Sequence, residues 1–387
     1  MGIYSDYLDR QLGFPELTAE RKKQLARIST LRGGRDVLVF AADLTKGNAP
    51  ISIGYSDLLP IADQLSNLSG KAIDVILETP GGAGEIAEDI VRLLHGKYED
   101  VAVIIPGCAK SAGTIMAMAA DEILMEPVSS LGPIDAQLFW QGKIFSADAL
   151  IEGMEKIKQE VERTGVLNKA YIPILQGISP GELQSAENAL EFAKLLVTDW
   201  LTRYKFKNWN VHASTGAPVS EKEKKARANE IATALCEHRR WKTHGRSIKL
   251  SDLEAMRLKI TDYSKSPDLA DAIRRYYTLL QMTFSTNIYK VFETPQSQIY
   301  RFLAVQVAQP QGPMPAQAEV AILEIPCGKC GTKSKVQANL ERSQPLQAGC
   351  LPFPADNRFP CPSCGAIADL SDARRQIEAQ SKRPVVS

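Results

Sequence analysis

Two glycine-bearing turns between residues 73 and 137 hold residue types that suit acyl-transfer chemistry. The turn Thr79–Gly84 (Thr-Pro-Gly-Gly-Ala-Gly) follows the apolar run Ile73–Leu77. The turn Gly107–Thr114 (Gly-Cys-Ala-Lys-Ser-Ala-Gly-Thr) follows the apolar run Val101–Ile105. Both runs are short and rich in β-branched residues, as buried parallel strands are. Each turn then opens a helical pattern, so backbone N–H groups and one hydroxyl can point at the same place.

Ser111 is the residue in these turns that could act as a nucleophile. A serine hydroxyl attacks a carbonyl only when a base removes its proton and donors stabilise the oxyanion. Because a strand gives way to a helix at Ser111, the first-turn N–H of Ala112 is a free donor near the positive end of the helix dipole. Gly81 and Gly82 lack a Cβ, so their backbone can approach a substrate and supply a second donor. These features predict a serine hydrolase site, and the alternative is that both turns are only tight connections.

The elements around the turns alternate between strand and helix. The strand candidates are Val37–Phe40, Ile73–Leu77, Val101–Ile105 and Ile123–Met125. The helix candidates are Asp57–Leu68, Glu85–Leu94, Ser111–Ala120 and Ala147–Arg163, followed by Ser185–Tyr204, Ala228–Glu237 and Asp268–Thr283. Alternation of this kind predicts a layered α/β unit with a parallel sheet.

Changes in composition divide the chain into four predicted parts. Residues 1–36 form an N-terminal helical segment, 37–285 the α/β catalytic domain, 286–320 a linker rich in Gln and Pro, and 321–387 a cysteine module with a charged tail. The linker assignment depends on the run Gln309–Pro315, which reads Gln-Pro-Gln-Gly-Pro-Met-Pro.

The composition is that of an ordinary globular protein. The 387 residues are 44% hydrophobic and 24% charged, with a net charge of +1. This balance gives no general electrostatic reason to expect nucleic acid or a membrane surface as the main partner. No apolar run approaches the roughly 20 residues that span a bilayer, and the charged segment Met1–Arg32 is not a secretory signal. The cytoplasm is therefore the predicted compartment.

Four of the seven cysteines form two CxxC pairs about 30 residues apart. The first pair is Cys327 and Cys330, the second is Cys361 and Cys364, and a glycine follows each pair. Four thiolates in two close pairs suit tetrahedral Zn²⁺, and such closed sites are structural. We therefore expect one structural zinc ion per chain in a zinc ribbon, with Cys350 as a spare thiol. The alternative is a pair of redox CxxC motifs, although no thioredoxin-like pattern surrounds them.

Four segments together resemble the SDH family (serine dehydrogenase proteinase). They are Glu78-Thr-Pro-Gly-Gly82, Ala109-Lys-Ser-Ala-Gly-Thr114, Asp121-Glu-Ile123 and Ser130-Leu-Gly-Pro-Ile-Asp-Ala-Gln137. The SDH family is a branch of the Clp/crotonase-like fold, related to signal peptide peptidase A and to the membrane-bound stomatin-cleaving proteases. The resemblance covers about residues 35–265.

This resemblance implies a fold and a function. The fold would be α/β of the Clp/crotonase type, in which parallel strands and helices form a ββα superhelix. The activity would be that of a serine endopeptidase, with Ser111 as nucleophile and Gly81, Gly82 and Ala112 around the oxyanion hole. By analogy with this fold, we expect a homo-oligomer that cleaves peptide or protein substrates.

The general base is open at this stage. Clp peptidases place a histidine soon after the serine, but the segment Leu131–Asp135 contains none. His244, with Asp135 as its acid, would form a triad with Ser111 in which the base and the acid occupy each other's positions relative to Clp peptidases. Signal peptide peptidases use a lysine instead, and three lysines fall in a plausible span. They are Lys156, Lys158 and Lys169.

Two other functions remain compatible with the sequence. A crotonase-like enzyme would use the same oxyanion hole for acyl-CoA thioesters, without needing a serine at position 111. A non-catalytic scaffold would keep the fold and bind partners through its zinc ribbon. The ribbon is expected to recruit a partner or to stabilise an oligomer, and nucleic acid is an unlikely ligand because the module has few aromatic residues and carries acids beside its basic residues.

Overall fold

The computed structural model describes residues 2–134, 136–140, 143–212, 215–303 and 319–386. The chain divides into two compact units. The larger comprises Met1–Gln281 with Tyr289–Arg301, and the smaller comprises Met282–Ile288 with Phe302–Ser387.

Residues 2–303 contain both helices and strands. The helices are α1 (Ile3–Asp9), α2 (Phe14–Leu31), α3 (Leu58–Ser66), α4 (Gly84–Lys97), α5 (Ala112–Met118), α6 (Ala147–Thr164), α7 (Ile172–Gln176), α8 (Pro180–Trp200), α9 (Glu221–Cys236), α10 (His238–Trp241), α11 (Leu250–Ala255) and α12 (Pro267–Phe284). The strands are β1 (Asp36–Ala42), β2 (Ala72–Glu78), β3 (Asp100–Ile104), β4 (Cys108–Ala109), β5 (Glu122–Met125), β6 (Ser130–Leu131), β7 (Gln137–Trp140), β8 (Lys143–Ser146), β9 (Thr261–Asp262), β10 (Ile288–Glu293) and β11 (Gln298–Phe302).

A seven-stranded sheet organises the larger unit. Its strand order is β11-β10-β1-β2-β3-β5-β9. Strands β1, β2, β3, β5 and β9 run parallel, and β10 pairs antiparallel with β1. This arrangement confirms the predicted α/β fold with a parallel sheet. The two turns singled out in the sequence leave the carboxyl ends of β2 and β3, the edge where open α/β sheets bind ligands.

The strands at the centre of this sheet are buried on both faces. In β1 and β2, the six residues after the first are all buried, which explains the nearly continuous apolar runs in the sequence. Helices follow the predicted pattern closely, with α4 at Gly84–Lys97 and α6 at Ala147–Thr164. One difference concerns Ser111, which precedes α5 instead of lying inside the helix.

A wholly buried ion pair attaches α2 to the sheet. The guanidinium of Arg21 donates to both carboxylate oxygens of Glu293 in β10, each at 3.0 Å, and neither side chain is exposed. The hydroxyl of Tyr276 in α12 donates to the same carboxylate at 3.0 Å. Removing one partner of such a pair would leave a buried, uncompensated charge.

The predicted linker, residues 286–320, starts too early. Ile288–Glu293 and Gln298–Phe302 form β10 and β11 of the main sheet. Ile288, Val291 and Phe292 are buried, so this stretch carries core residues despite the Gln and Pro that follow it. The Gln/Pro run 309–315 lies outside the described residues, and the remaining domain boundaries stay a prediction.

The described residues 319–386 of the smaller unit form short strands and one helix. These are β12 (Val320–Pro326), β13 (Lys333–Leu340), β14 (Cys350–Pro352), β15 (Arg358–Pro360), β16 (Ile367–Asp369), α13 (Ser371–Ser381) and β17 (Val385–Val386). Strands β12 and β13 form an antiparallel hairpin, as do β15 and β16. Its own buried cluster includes Leu323, Val336, Phe353 and Ile377.

Glu78, the last residue of β2, is a carboxylic acid placed in the core. Its carboxylate accepts hydrogen bonds from the amide of Cys108 at 2.8 Å and from the hydroxyl of Tyr277 at 3.2 Å. Only 4% of Glu78 is exposed, and this burial raises its pKa to about 7, although the hydrogen bonds oppose the rise. The folded protein therefore holds a proton on Glu78 more tightly than the unfolded chain does.

We predict that replacing Glu78 with Gln reduces the pH dependence of stability. Because the folded pKa is raised, the stability contributed by protonation is complete below about pH 4.5 and is lost as the pH rises through about 7. The loss should reach about 3 kcal/mol in the unfolding free energy of the wild type. Urea unfolding at pH 5 and pH 8 measures it. The exposed Glu99→Gln variant is the control, and an unchanged pH dependence in Glu78→Gln would contradict the assignment.

Candidate active site

Ser111 has a strained backbone at the junction of strand and helix. It follows β4 and caps the N-terminus of α5, with φ 49° and ψ −116°. A non-glycine residue in this region costs about 1–3 kcal/mol, and such strain clusters at functional sites. A nucleophilic serine on a sharp strand-to-helix turn presents its hydroxyl in this way.

Main-chain pairing joins the two turns. We call residues 79–84 the glycine loop and residues 107–111 the serine turn. The amide of Thr79 donates to the carbonyl of Cys108, and the amide of Lys110 donates back to the carbonyl of Thr79, both at 3.0 Å. This short parallel bridge, Thr79 with Ala109, fixes the glycine loop beside Ser111. Nothing in the local sequence pattern indicates the pairing.

Gly81 allows the glycine loop to pack directly on Ser111. A Cβ at this position would lie 2.6 Å from the Cβ of Ser111 and 2.7 Å from the carbonyl oxygen of Lys110. The φ of Gly81 is +100°, which L-residues rarely adopt. Gly81 is therefore required for both its conformation and its lack of a side chain.

The hydrogen bonds of the backbone amides near Ser111 show which of them could donate to an oxyanion. The amide of Gly81 already donates to the hydroxyl of Thr79 at 3.1 Å. Among the bonds of the described residues, none uses the amide of Gly82 or of Ala112. Gly82 and Ala112 thus remain as candidate donors, while Gly81 has a packing role.

Ser111 opens onto a cavity of about 610 Å³. Gly81, Gly82, Ala112 and His244 line the same cavity, so the structure brings these predicted residues together. Apolar side chains cover another part of the wall. They are Ile115, Ile134 and Phe192. The cavity therefore brings together a serine, backbone amides, a histidine and an apolar surface.

The candidate bases are placed differently from one another. His244 lines the cavity, whereas the three lysines are absent from its described lining. Lys156 pairs with Glu152 at 2.6 Å and Lys158 pairs with Glu155 at 3.6 Å, and both side chains are about two-thirds exposed. Lys169 is exposed in the turn before α7. The predicted acid, Asp135, lies outside the described residues.

Lys110, the residue before Ser111, connects the serine turn with the segment that follows His244. Its ammonium donates to the carbonyls of Leu131 and Arg246 at 3.1 and 3.2 Å and to the hydroxyl of Ser247 at 3.1 Å. Burial lowers the pKa of Lys110 from its ordinary value. These three bonds show that Lys110 stabilises the position of the serine turn. Its place next to Ser111 in the sequence does not indicate these partners.

Cys108 is not a competing nucleophile. Burial, with the nearby Glu78 carboxylate as a smaller cause, raises the pKa of its thiol to about 11. The reactive thiolate is therefore scarce at neutral pH. Cys108 is therefore interpreted as a small, partly buried residue without a catalytic role.

The four cysteines of the CxxC pairs come together in the smaller unit. Their Sγ atoms all lie within 4.8 Å of one another, and they belong to Cys327, Cys330, Cys361 and Cys364. The Cys327–Cys364 and Cys330–Cys361 distances are 3.5 and 3.7 Å. Thiolates bound tetrahedrally at about 2.3 Å to one Zn²⁺ would be about 3.8 Å apart. The cluster can therefore hold one metal ion.

The two CxxC turns have matching backbones. The amide of Gly331 donates to the carbonyl of Cys327, and that of Gly365 donates to the carbonyl of Cys361, each at 2.9 Å. Both glycines are left-handed, with φ of 71° and 70°. This repeated geometry directs two sulfurs from each turn toward one point, and Cys350 is not part of the cluster.

Two curated proteins are similar to parts of this chain. The curated protein MJ1495 of Methanocaldococcus jannaschii is 31% identical over 155 residues, which cover 38% of this chain and 53% of that protein. MJ0137 of the same organism is 44% identical over 68 residues, which cover 18% of this chain and 24% of that protein. The chain thus spans about half and about a quarter of these relatives, and both are described as uncharacterized.

Two solved structures are also similar, both of the 1510-N membrane-bound stomatin-specific protease. One is a serine-to-alanine mutant, with 15% identity and a TM-score of 0.30 over 56% of this chain and 79% of that one. The other is a lysine-to-alanine mutant in complex with a substrate peptide, with 17% identity and a TM-score of 0.30 over 64% and 78%.

The family model that matches covers the part of the chain that builds the site. It spans residues 62–170 and includes the glycine loop, the serine turn and α5. The resemblance that the sequence motifs indicated is thereby confirmed. Residues 62–170 match the family model of the ClpP-like SDH-type serine proteinases.

Proposed function

We propose that this chain is a serine endopeptidase that cleaves peptide bonds through an acyl-enzyme on Ser111. One observation carries the proposal. The strained Ser111 opens onto a cavity beside two amides, Gly82 and Ala112, that no hydrogen bond of the described residues uses. The match of residues 62–170 to a family of serine proteinases supports the same activity.

The proposed reaction has two halves. The oxygen of Ser111 attacks the scissile carbonyl carbon while the base takes its proton, and the amides of Gly82 and Ala112 donate to the resulting oxyanion. The base then protonates the leaving amine as the carbon–nitrogen bond breaks, which leaves an ester on Ser111. Water, deprotonated by the same base, hydrolyses that ester and restores the serine.

His244 is the base that the arrangement favours. It lines the cavity that contains Ser111, whereas Lys156 and Lys158 pair with glutamates on the exposed side of α6. Asp135 as the orienting acid stays part of the proposal. A peptide substrate would place an apolar side chain against Ile115, Ile134 and Phe192 in the cavity wall.

The two other functions predict different behaviour. A crotonase-like acyl-CoA enzyme needs the oxyanion donors but no nucleophile, so the strained conformation of Ser111 would have no purpose. A non-catalytic scaffold has no need of amides without partners in a cavity. Both alternatives fail to explain why the strain and the free donors coincide.

A homo-oligomer in the cytoplasm completes the proposal. Helix α6 buries only Ala147 among its residues, although its sequence carries an apolar stripe, and Val166 and Ile174 nearby are more than half exposed. Such a surface suits contact with another copy. None of the seven cysteines forms a disulfide bond with another described residue, as expected in a reducing compartment. No described helix is both long and apolar enough to cross a membrane.

We further propose that the four-cysteine cluster binds one structural Zn²⁺ and that the ribbon around it recruits a partner or stabilises the oligomer. Thiolates in a closed tetrahedral set leave no open coordination position, so the metal would support folding and take no part in catalysis. Nucleic acid is not the proposed partner, because the chain is close to neutral overall.

The first prediction from this proposed function concerns the nucleophile. A fluorophosphonate probe should label the wild type at Ser111, because the probe phosphonylates activated serines, and Ser111→Ala should abolish labelling. Ser185→Ala is the matched control, since Ser185 lines the same cavity without the strained backbone. Peptide mapping identifies the modified residue. Labelling at another serine, or none in the assembled wild type, would refute the peptidase.

The second prediction concerns the base. His244→Ala should slow labelling and peptide hydrolysis about 100- to 10,000-fold, because the proton of Ser111 then has no acceptor. His212→Ala is the control, since His212 pairs with Glu223 away from the cavity. Unchanged hydrolysis by His244→Ala, with loss in one of the Lys156, Lys158 or Lys169 alanine variants, would assign the role to a lysine.

The third prediction concerns the metal. Replacing Cys327 and Cys361 with Ser should abolish bound zinc and lower the melting temperature of the ribbon, because each CxxC turn loses a ligand. Cys350→Ser should retain the full zinc content, since Cys350 lies outside the cluster. Elemental analysis of the purified protein measures the difference. Equal zinc contents in both variants would show that the cluster is not the binding site.

A further inference from the structure

The direction of the Gly82 amide is set by a short segment before α3. The amide of Ile53 donates to the carbonyl of Gly81 at 2.7 Å, and the amide of Ala83 donates to the carbonyl of Ile53 at 3.0 Å. The carbonyl of Gly81 and the N–H of Gly82 belong to the same peptide group. Because a trans peptide is planar, a carbonyl held toward Ile53 directs that N–H to the opposite side.

Ile53 can hold this peptide only if its own position is fixed. Gly82 packs so closely on it that a Cβ would lie 2.3 Å from the carbonyl oxygen of Ile53. The residues on either side of Ile53, Ser52 and Gly54, are bound by polar side chains instead of by a strand of the main sheet. Ser52 also lines the cavity of Ser111.

A buried ion pair holds both of these neighbours. The ammonium of Lys290 donates to the carbonyl of Ser52 at 2.7 Å and to the two carboxylate oxygens of Asp57 at 2.8 and 2.7 Å. The amide of Gly54 donates to the same carboxylate at 3.0 Å. The side chains of Lys290 and Asp57 are 2% and 1% exposed. All three ammonium donors thus have acceptors in the interior.

Stability alone does not account for this pair. Well-packed apolar residues in place of a buried ion pair often give equal or greater stability, because the desolvation of two charges is costly. An apolar pair could not form the hydrogen bonds that the ion pair makes to the main chain on both sides of Ile53. Lys290 comes from β10, more than 100 residues beyond the segment that matches the proteinase family.

We infer that the Lys290–Asp57 ion pair positions the oxyanion hole. It holds Ser52 and Gly54, which fix Ile53 between them, and Ile53 in turn holds the peptide group between Gly81 and Gly82. Lys290 and Asp57 touch no substrate and are positioning residues. The catalytic part of this inference rests on the proposed peptidase function. The structural part, that the pair fixes the glycine loop, stands independently of it.

The variant Lys290→Met/Asp57→Asn tests the inference, because it removes both charges and the bond to Ser52 without leaving an unpaired ion. The matched control is Arg21→Met/Glu293→Gln. It neutralises an equally buried pair that also involves β10, and the hydrogen bonds described for that pair go to residues outside the glycine loop. Both double variants are compared in the full chain, below their melting temperatures.

Two measurements separate positioning from stability. The fluorophosphonate labelling rate of Lys290→Met/Asp57→Asn should fall about 10- to 100-fold, since a misplaced donor weakens oxyanion stabilisation. For a peptide ester, kcat should fall with it while KM changes little. Hydrogen exchange at the amides of Ile53 and Ala83 should accelerate in this variant. In the control pair, labelling and exchange should stay within about twofold of the wild type, even if its melting temperature falls.

The outcomes are distinct. Wild-type labelling and exchange rates in Lys290→Met/Asp57→Asn would overturn the inference, as would equal losses in both double variants. A wild type that does not label, combined with faster exchange at Ile53 and Ala83 only in Lys290→Met/Asp57→Asn, would remove the proposed peptidase and support the structural coupling.

Discussion

The candidate site depends on the pairing of Thr79 with the serine turn. Two backbone hydrogen bonds, from Thr79 to Cys108 and from Lys110 to Thr79, join the ends of β2 and β3 just beyond the sheet. They bring Gly81 into contact with Ser111, where any side chain at position 81 would collide. The strained φ of Ser111 and the free amides of Gly82 and Ala112 acquire a common geometry only because of this pairing.

Further contacts stabilise the two turns that this bridge joins. Ile53 holds the peptide between Gly81 and Gly82, and Lys110 connects the serine turn with residues 131 and 246–247. The carboxylate of Glu78 accepts a hydrogen bond from the amide of Cys108 in the serine turn. These contacts connect the two turns with other segments of the chain, and those segments restrain the atoms that would surround a reacting carbonyl.

Local signals explain which parts could be predicted from the sequence. The buried strands, the two glycine turns, Ser111 and the four cysteines are recognisable because their chemistry is encoded within a few residues. Thr79, Lys290 and Asp57 could not be recognised, because their roles come from contacts between distant segments. Gly81 was expected as a possible donor, but the Thr79 hydroxyl takes its amide. The strand β10 was assigned to a linker because its apolar run is short and is followed by a stretch rich in Gln and Pro.

A structure of the phosphonylated protein would test the central claim most directly, because the phosphonyl oxygen mimics the oxyanion. We predict that this oxygen, attached through the oxygen of Ser111, lies about 2.7–3.1 Å from the amide nitrogens of both Gly82 and Ala112. An adduct whose oxygen points into solvent, or contacts neither amide, would contradict the oxyanion hole and the peptidase mechanism built on it.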